Sequence, residues 1–363
     1  MHEFTSLSES WRLAKDYALG RPLPIEQAGG GRNEGREDMS SLIAVVAGAW
    51  IAAHCVTTDG ALTVRPGGEA VSGYFGNITA RGLVASGDHF GVVARWMEWY
   101  VAHAHGSGSG VDGVPDDGRY DQGQFISRGR PDSTDAYGAT FISLANAAYQ
   151  TGDPALRALV LSHRPDMERI AGSMLATMQP NGLTFSRPQH PFAYAIDNEQ
   201  VYRGLMDAAA LWGSAYHDTA LADRFLKSAT ILRAGIERVL WDDSTQSYRP
   251  FVDALGRGAP ADLTRAYPDA LAQVMAITYG VVAPTSLRAA VLLSRASAAL
   301  LEPAKGDAAE YREVVRIART MVGGPAGPLD TIDPPPLCSD AGWQLRADAA
   351  ARQGGPSRGP GNP

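Results

Sequence analysis

The chain has 363 residues, 39 Asp+Glu against 32 Lys+Arg for a net charge of −7, 45% hydrophobic and 20% charged residues, which is the composition of a globular protein rather than a fibrous or disordered one. Its mild acidity and lack of a Lys/Arg-rich block argue against nucleic acid as a partner, because that affinity rests on phosphate neutralisation. Its two cysteines, Cys55 and Cys338, are far apart in the chain, supply neither a disulfide framework nor a CxxC metal or redox motif, and are expected as free thiols.

Residues 1–38 hold one predicted helix, Ser8 to Leu19, and then a polar Gly/Glu/Arg stretch that reads as a flexible arm. The apolar run from Leu42 to Val56 is too short to span a bilayer and lacks the basic flank of a signal peptide, so it predicts a buried core helix and no membrane partner. With no targeting signal the default compartment is cytoplasmic, secretion not being excluded. Asp88 is placed to cap a helix whose Phe90, Val93, Trp96/Met97 and Tyr100/Val101 form one apolar stripe. Further helices fit Thr134–Tyr149, Ala155–Met178, Asn198–Tyr216, Thr219–Leu240, Pro268–Val281 and Thr285–Leu301. Short breaks such as Thr151–Pro154 alternate with long Gly-, Pro- and Asp-bearing loops, the arrangement of stacked helical hairpins. The fold class is all-α.

Four helix starts share a character: Ser72–Ala80, Asp132–Phe141, Tyr194–Tyr202 and Tyr267–Gln273 each place aromatic and acidic or amide side chains where the chain leaves a long loop. With Tyr74, Asp135, Glu199 and Asp269 as markers the spacings are 61, 64 and 70 residues, the length of a helical hairpin with one long loop. Hairpins stacked in a ring would bring all four starts to one end. Residues 323–363 contain 8 Gly and 8 Pro and predict a disordered tail. Six hairpins of this period need about 390 residues, so the last one is expected to be incomplete. The domain reading is a 1–38 arm, a 39–322 helical-hairpin domain and a 323–363 tail.

The motifs Tyr74-Phe75-Gly76-Asn77, Asp132-x-x-Asp135-Ala-Tyr137, Asp197-Asn198-Glu199 and Tyr267-Pro268-Asp269-Ala270-x-x-Gln273 resemble the six-hairpin glycosidases over roughly residues 40–300. The resemblance implies an (α/α)6 toroid that binds sugars where the inner helices begin and cuts glycosidic bonds by inversion.

Glycoside hydrolysis needs one carboxyl group to protonate the leaving oxygen and a second to activate water or to attack. Glu199, just inside a helix start among Tyr194, Val201 and Tyr202, is the expected general acid, because an apolar setting raises a carboxyl pKa. Asp135 is the expected base, with Asp269 the alternative, and sequence does not choose between them. Tyr74, Tyr137, Tyr194 and Tyr267 are expected to stack against sugar rings, whereas Trp96, Trp99 and Trp212 are better explained as core. Asp132, Asp197, Asn77, Asn198, Arg203 and Gln273 are expected to bind sugar hydroxyls or a uronate carboxylate. The Gly- and Asp-rich loop from His105 to Asp132 is a candidate cleft wall or lid. No cofactor or metal is implied, and a monomer acting on carbohydrate is expected. A polysaccharide lyase or sugar epimerase, or a non-catalytic glycan-binding ring, are the competing readings.

Overall fold

A computed structural model describes residues 45–106, 112–301, 308–325 and 335–353. The arm over 1–38, its predicted helix and parts of the Gly/Pro-rich tail lie outside the described residues.

The helices are, in chain order, α1 (residues 45–54), α2 (Gly73–Ser86), α3 (Phe90–His103), α4 (Asp135–Gln150), α5 (Pro154–Ser162), α6 (Arg164–Ala176), α7 (Ala195–Ser214), α8 (Thr219–Gly235), α9 (Leu271–Thr278), α10 (Leu287–Leu301), α11 (Ala308–Met321) and α12 (Cys338–Gln353). Six of them form an inner ring, α2, α4, α7, α9, α11 and α12, each packed on the next, and α12 returns to α2 to close it. The others back this ring from outside. The two classes differ in which faces are apolar. α8 buries Phe225, Ala229 and Leu232 on one stripe and turns Arg224 and Lys227 to water. α4, by contrast, is buried from Asp135 to Asn146 without interruption, and its Ala, Gly, Ser and Thr residues let neighbours approach on all sides.

Short strands occupy the connections that lead into the inner helices. β1 (Ala70–Val71), β2 (Gly118–Asp121) and β3 (Gln124–Ser127) form an antiparallel sheet in that order. β4 (Phe192–Tyr194) pairs with β7 (Phe251–Asp253), and β5 (Trp241–Asp242) with β6 (Ser247–Tyr248). These strands gather at the end of the ring where the inner helices begin. Trp96, Trp99 and Trp212 are core residues, Trp96 and Trp99 stacked at 5.3 Å.

Several sequence-based expectations are corrected here. The stretch read as a disordered tail supplies the sixth inner helix, and α12 is buried through Cys338–Leu345. The ring is complete because α11 and α12 are joined by a short connection: their first residues, 308 and 338, are half a hairpin period apart. Cys55 and Cys338 are not free thiols but a disulfide that ties the segment after α1 to the start of α12. Asp88 does not cap α3. Its side chain accepts from the His89 backbone, and His89, at φ 56, occupies the cap position. The helix predicted over Ala155–Met178 breaks at His163, because Pro165 lacks the amide that would continue the ladder.

Ring closure depends on backbone proximity. A Cβ on Gly82 would lie 2.4 Å from the Gly342 carbonyl oxygen, and one on Gly342 would lie 2.7 Å from that of Ile78. Gly342→Ala is therefore expected to cost about 1–3 kcal/mol through forced backbone shifts, read as a lowered urea midpoint. Gly91→Ala, where an added Cβ meets nothing within 4 Å, is the control. A buried ion cluster ties the neighbouring pair, Arg316 on α11 pairing with Glu313 and with Asp348 of α12.

Candidate active site

The six inner helices start around one cavity of about 420 Å³. Each contributes to its wall: Tyr74 and Phe75 from α2, Ala136 and Tyr137 from α4, Ile196, Asp197 and Gln200 from α7, Leu271 and Met275 from α9, Glu310 and Tyr311 from α11, Asp340 from α12. The connections add Arg65, Ser72, Asp132, Ser133 and Tyr267. The wall thus combines four carboxyl groups, Asp132, Asp197, Glu310 and Asp340, with four tyrosines, Tyr74, Tyr137, Tyr267 and Tyr311. Convergence follows from helix polarity: side chains in a first turn point toward the end where the chain enters.

Polar contacts hold the wall in place. The Tyr137 hydroxyl donates to Asp117 at 2.8 Å and lies 2.8 Å from Ser72 Oγ. Asp117 also accepts from the Asp132 amide, so the loop after α3 is fastened to the cavity rim. Gln200 donates to the Tyr74 hydroxyl at 2.9 Å. Tyr267 is 63% exposed at the mouth. Its hydroxyl is pushed up to about 12 by local desolvation against the wall and by the charges of Asp197, Asp132 and Glu310.

No family model and no curated protein matches the sequence. Solved structures do match in shape. A wild-type glycosidase superposes with a TM-score of 0.61 at 14% identity, covering 89% of this chain and 99% of that one. A reducing-end-xylose releasing exo-oligoxylanase complexed with xylobiose gives 0.60 at 12% identity over 88% and 93%. A GH78 family rhamnosidase of Bacillus sp. GL1 gives 0.54 at 15% identity over 92% of this chain and 36% of its own. The fold is that of the six-hairpin glycosidases.

Within this glycosidase-type toroid the thirteen residues singled out from the sequence separate into groups. Tyr74, Asp132, Tyr137, Asp197 and Tyr267 line the cavity together. Tyr194 stands beside it, its hydroxyl within the fields of Asp197 and Asp132 and its ring stacked on His190. Glu199, Asp135 and Asp269 are buried and absent from the wall. Asp135 Oδ1 accepts from Ser133 and from the Ala136 amide, and its Oδ2 from Thr184, so it anchors the start of α4. Asp269 accepts from the Asp262 amide at the start of α9. Three amides are tied to the backbone: Asn77 to the Tyr137 carbonyl, Asn198 to Thr184 and Tyr194, Gln273 to Tyr248 and Asp269. Arg203 is paired with Asp207 and faces a second cavity deeper in the bore.

Sequence reading passed over Gln200, Glu310, Tyr311 and Asp340. Gln200 was legible one turn into α7. Asp340 lies in the stretch whose Gly/Pro-rich composition masked its helix, whereas Glu310 and Tyr311 lie in α11, a Gly- and Pro-free helix beyond Leu301, where the sequence reading ends its last helix.

Burial raises the pKa of Asp197 well above the carboxylate range, and the neighbouring charges of Asp135 and Asp132 raise it further. Ser133 lies between the pair, 2.7 Å from Asp135 and 3.5 Å from Asp197. Burial also raises Glu199, with Asp197 the second cause, and neither Glu199 carboxyl oxygen has a hydrogen-bond partner.

Glu199 therefore makes a stability prediction. A carboxyl whose folded pKa lies above its unfolded value contributes stability that is full below the unfolded pKa and is lost as pH rises through the folded one. Wild-type stability should fall toward alkaline pH. Glu199→Gln, which cannot ionise, should be near neutral at acidic pH and raise Tm relative to wild type at pH 8. Parallel stability curves for the two proteins across pH would show that Glu199 does not carry this term.

Proposed function

We propose that the chain is a glycoside hydrolase that inverts the anomeric centre, with Asp197 as general acid and Glu310 as general base. The observation that carries the reading is the cavity at the start of all six inner helices, where four carboxyl groups share a wall with four tyrosines. Asp197 fits the acid because burial and the charges of Asp135 and Asp132 raise its pKa, which favours the protonated form that an acid needs. Glu310 fits the base because the Tyr74 and Tyr267 hydroxyls each lie within the fields of both Asp197 and Glu310, which brackets the space where a glycosidic bond would sit. Inversion requires the two carboxyl groups to be about 6.5–9.5 Å apart, leaving room for the attacking water. The tyrosine faces suit a sugar ring, and the glycosidase and exo-oligoxylanase of the same fold carry glucose and xylobiose in their complexes.

In this reading Asp135 is a positioning residue that raises Asp197 through its charge. Glu199 and Asp269, first taken as acid and alternative base, lie behind the wall. A lyase or epimerase would need a tyrosine or histidine base, and no histidine is among the residues that line the cavity. Burial and the Asp117 charge push Tyr137 well above the ordinary phenol range, which disfavours that role.

A buried disulfide favours an oxidising compartment. Secretion therefore fits this chain better than the cytoplasmic default. Among the described residues no helix is long and apolar enough to cross a membrane.

The test is reducing-sugar release across α- and β-glucans, chitosan, xylan and uronate polymers, with the anomer of the product followed by NMR. Release with an inverted anomer supports the proposal. Binding without release, seen as a raised Tm, would favour the non-catalytic reading.

A further inference from the structure

Deeper in the bore lies a second cavity of about 190 Å³. Its wall comes from five of the same inner chain segments, mostly at positions further from the helix starts than those of the first cavity, so it lies deeper by several ångströms at about 1.5 Å per residue. Its character is different. Among its lining residues are three guanidinium groups, Arg81, Arg203 and Arg346, and no carboxylate. Asp207 neutralises one of them by a two-toothed pairing with Arg203. Arg81 donates to the Ser143 carbonyl and Arg346 lies over the Trp343 ring, contacts that orient the two groups without cancelling their charge.

The three cations feel one another. Arg81 is pulled down to about 10, first by burial and then, against the pull of Asp207, by the charges of Arg346 and Arg203. A second, independent feature points into the same space. The Tyr279 side chain lines the cavity, is 6% exposed, and its hydroxyl makes no well-aligned hydrogen bond although Gln200 and Arg346 approach within hydrogen-bonding reach. A buried hydroxyl without a well-aligned partner is destabilising, and so is folding around like charges. One ligand relieves both. A tetrahedral oxyanion presents acceptor oxygens to guanidinium forks and to a phenol together, and its size suits this volume.

We propose that this second cavity is a binding site for a small inorganic oxyanion of the phosphate or sulfate class, held by Arg81, Arg346 and the Tyr279 hydroxyl. Gln200 lines both cavities and donates to Tyr74, so an occupied site braces the floor of the first. The inference stands apart from the hydrolase reading, because it concerns binding and not turnover.

The experiment is calorimetric titration of the full chain with inorganic phosphate, paired with melting curves in phosphate and in sodium chloride at equal ionic strength. Saturable binding is expected, with a Tm rise that chloride does not reproduce. Arg346→Gln should weaken binding by about tenfold or more through loss of a charge-assisted pair. Tyr279→Phe, which keeps the ring and removes the hydroxyl, should weaken it severalfold. If Arg346→Gln does not fold, Tyr279→Phe decides alone. Equal Tm rises in phosphate and chloride would overturn the proposal, as would wild-type affinity in Tyr279→Phe.

Discussion

Asp197→Asn is expected to lower kcat by about 10²- to 10⁴-fold on any glycan the protein cleaves, the usual contribution of a positioned general acid. The amide keeps the shape of the side chain and removes its proton. The effect should fall on the bond-breaking step, so a substrate with a good leaving group, which needs little protonation, should recover most of the rate. The pH profile carries a second signature. Asp197 must be protonated to act, so activity declines as pH rises through its elevated pKa. Asp132→Asn removes one of the charges that raise it, which should move this basic limb to lower pH while leaving the maximal rate within a few-fold. Glu199→Gln should leave the rate nearly unchanged, because Glu199 is absent from the cavity wall. The opposite pattern, with Glu199→Gln inactive and Asp197→Asn active, would return the acid to Glu199.

The second large effect concerns the disulfide. Replacing Cys55 and Cys338 together by Ser is expected to cost about 2–5 kcal/mol, because the bond closes a loop of 283 residues in the unfolded chain. Tm should drop by roughly 4–10 °C. The loss should also reach the site. Cys338 begins α12 and its amide donates to the Val64 carbonyl at 3.0 Å, so the bond fixes the segment that brings Leu337 and Asp340 to the cavity. KM is expected to rise more than kcat falls, since binding surface is loosened and the Asp197 side is untouched. An unchanged Tm in the double variant would show that packing of Gly82 against Gly342 and the Arg316 cluster secure the ring without the bond.

The pKa-raising charges in the cavity give the toroid an economy of parts. Asp132 and Asp135 sit at the start of one inner helix and Asp197 at the start of the next. Two carboxyl groups are thereby available to set the proton affinity of a third. The hairpin repeat is what makes this possible, because successive periods bring the acidic starts of α4 and α7 to the same end of the ring.

The sequence determined the all-α class, the hairpin period and the end of the ring at which chemistry-bearing residues gather, because helical periodicity and helix starts are local properties. Tyr74, Asp132, Tyr137, Asp197 and Tyr267 were legible for that reason. Tertiary structure decided which member of each start faces the cavity. Asp197 and Glu199 are two positions apart, which on a helix is about 200° of rotation, so one lines the wall and the other is buried behind it. Local pattern carries no record of where the ring axis lies. The same holds for Asn77, Asn198 and Gln273, whose amides also bond distant groups, Tyr137, Thr184 and Tyr248, that only the folded chain brings near. The last inner helix and the Cys55–Cys338 bond were hidden for another reason: α12 is held by contact with α2 across the whole length of the chain, and a Gly/Pro-rich composition says nothing of a partner so distant in sequence.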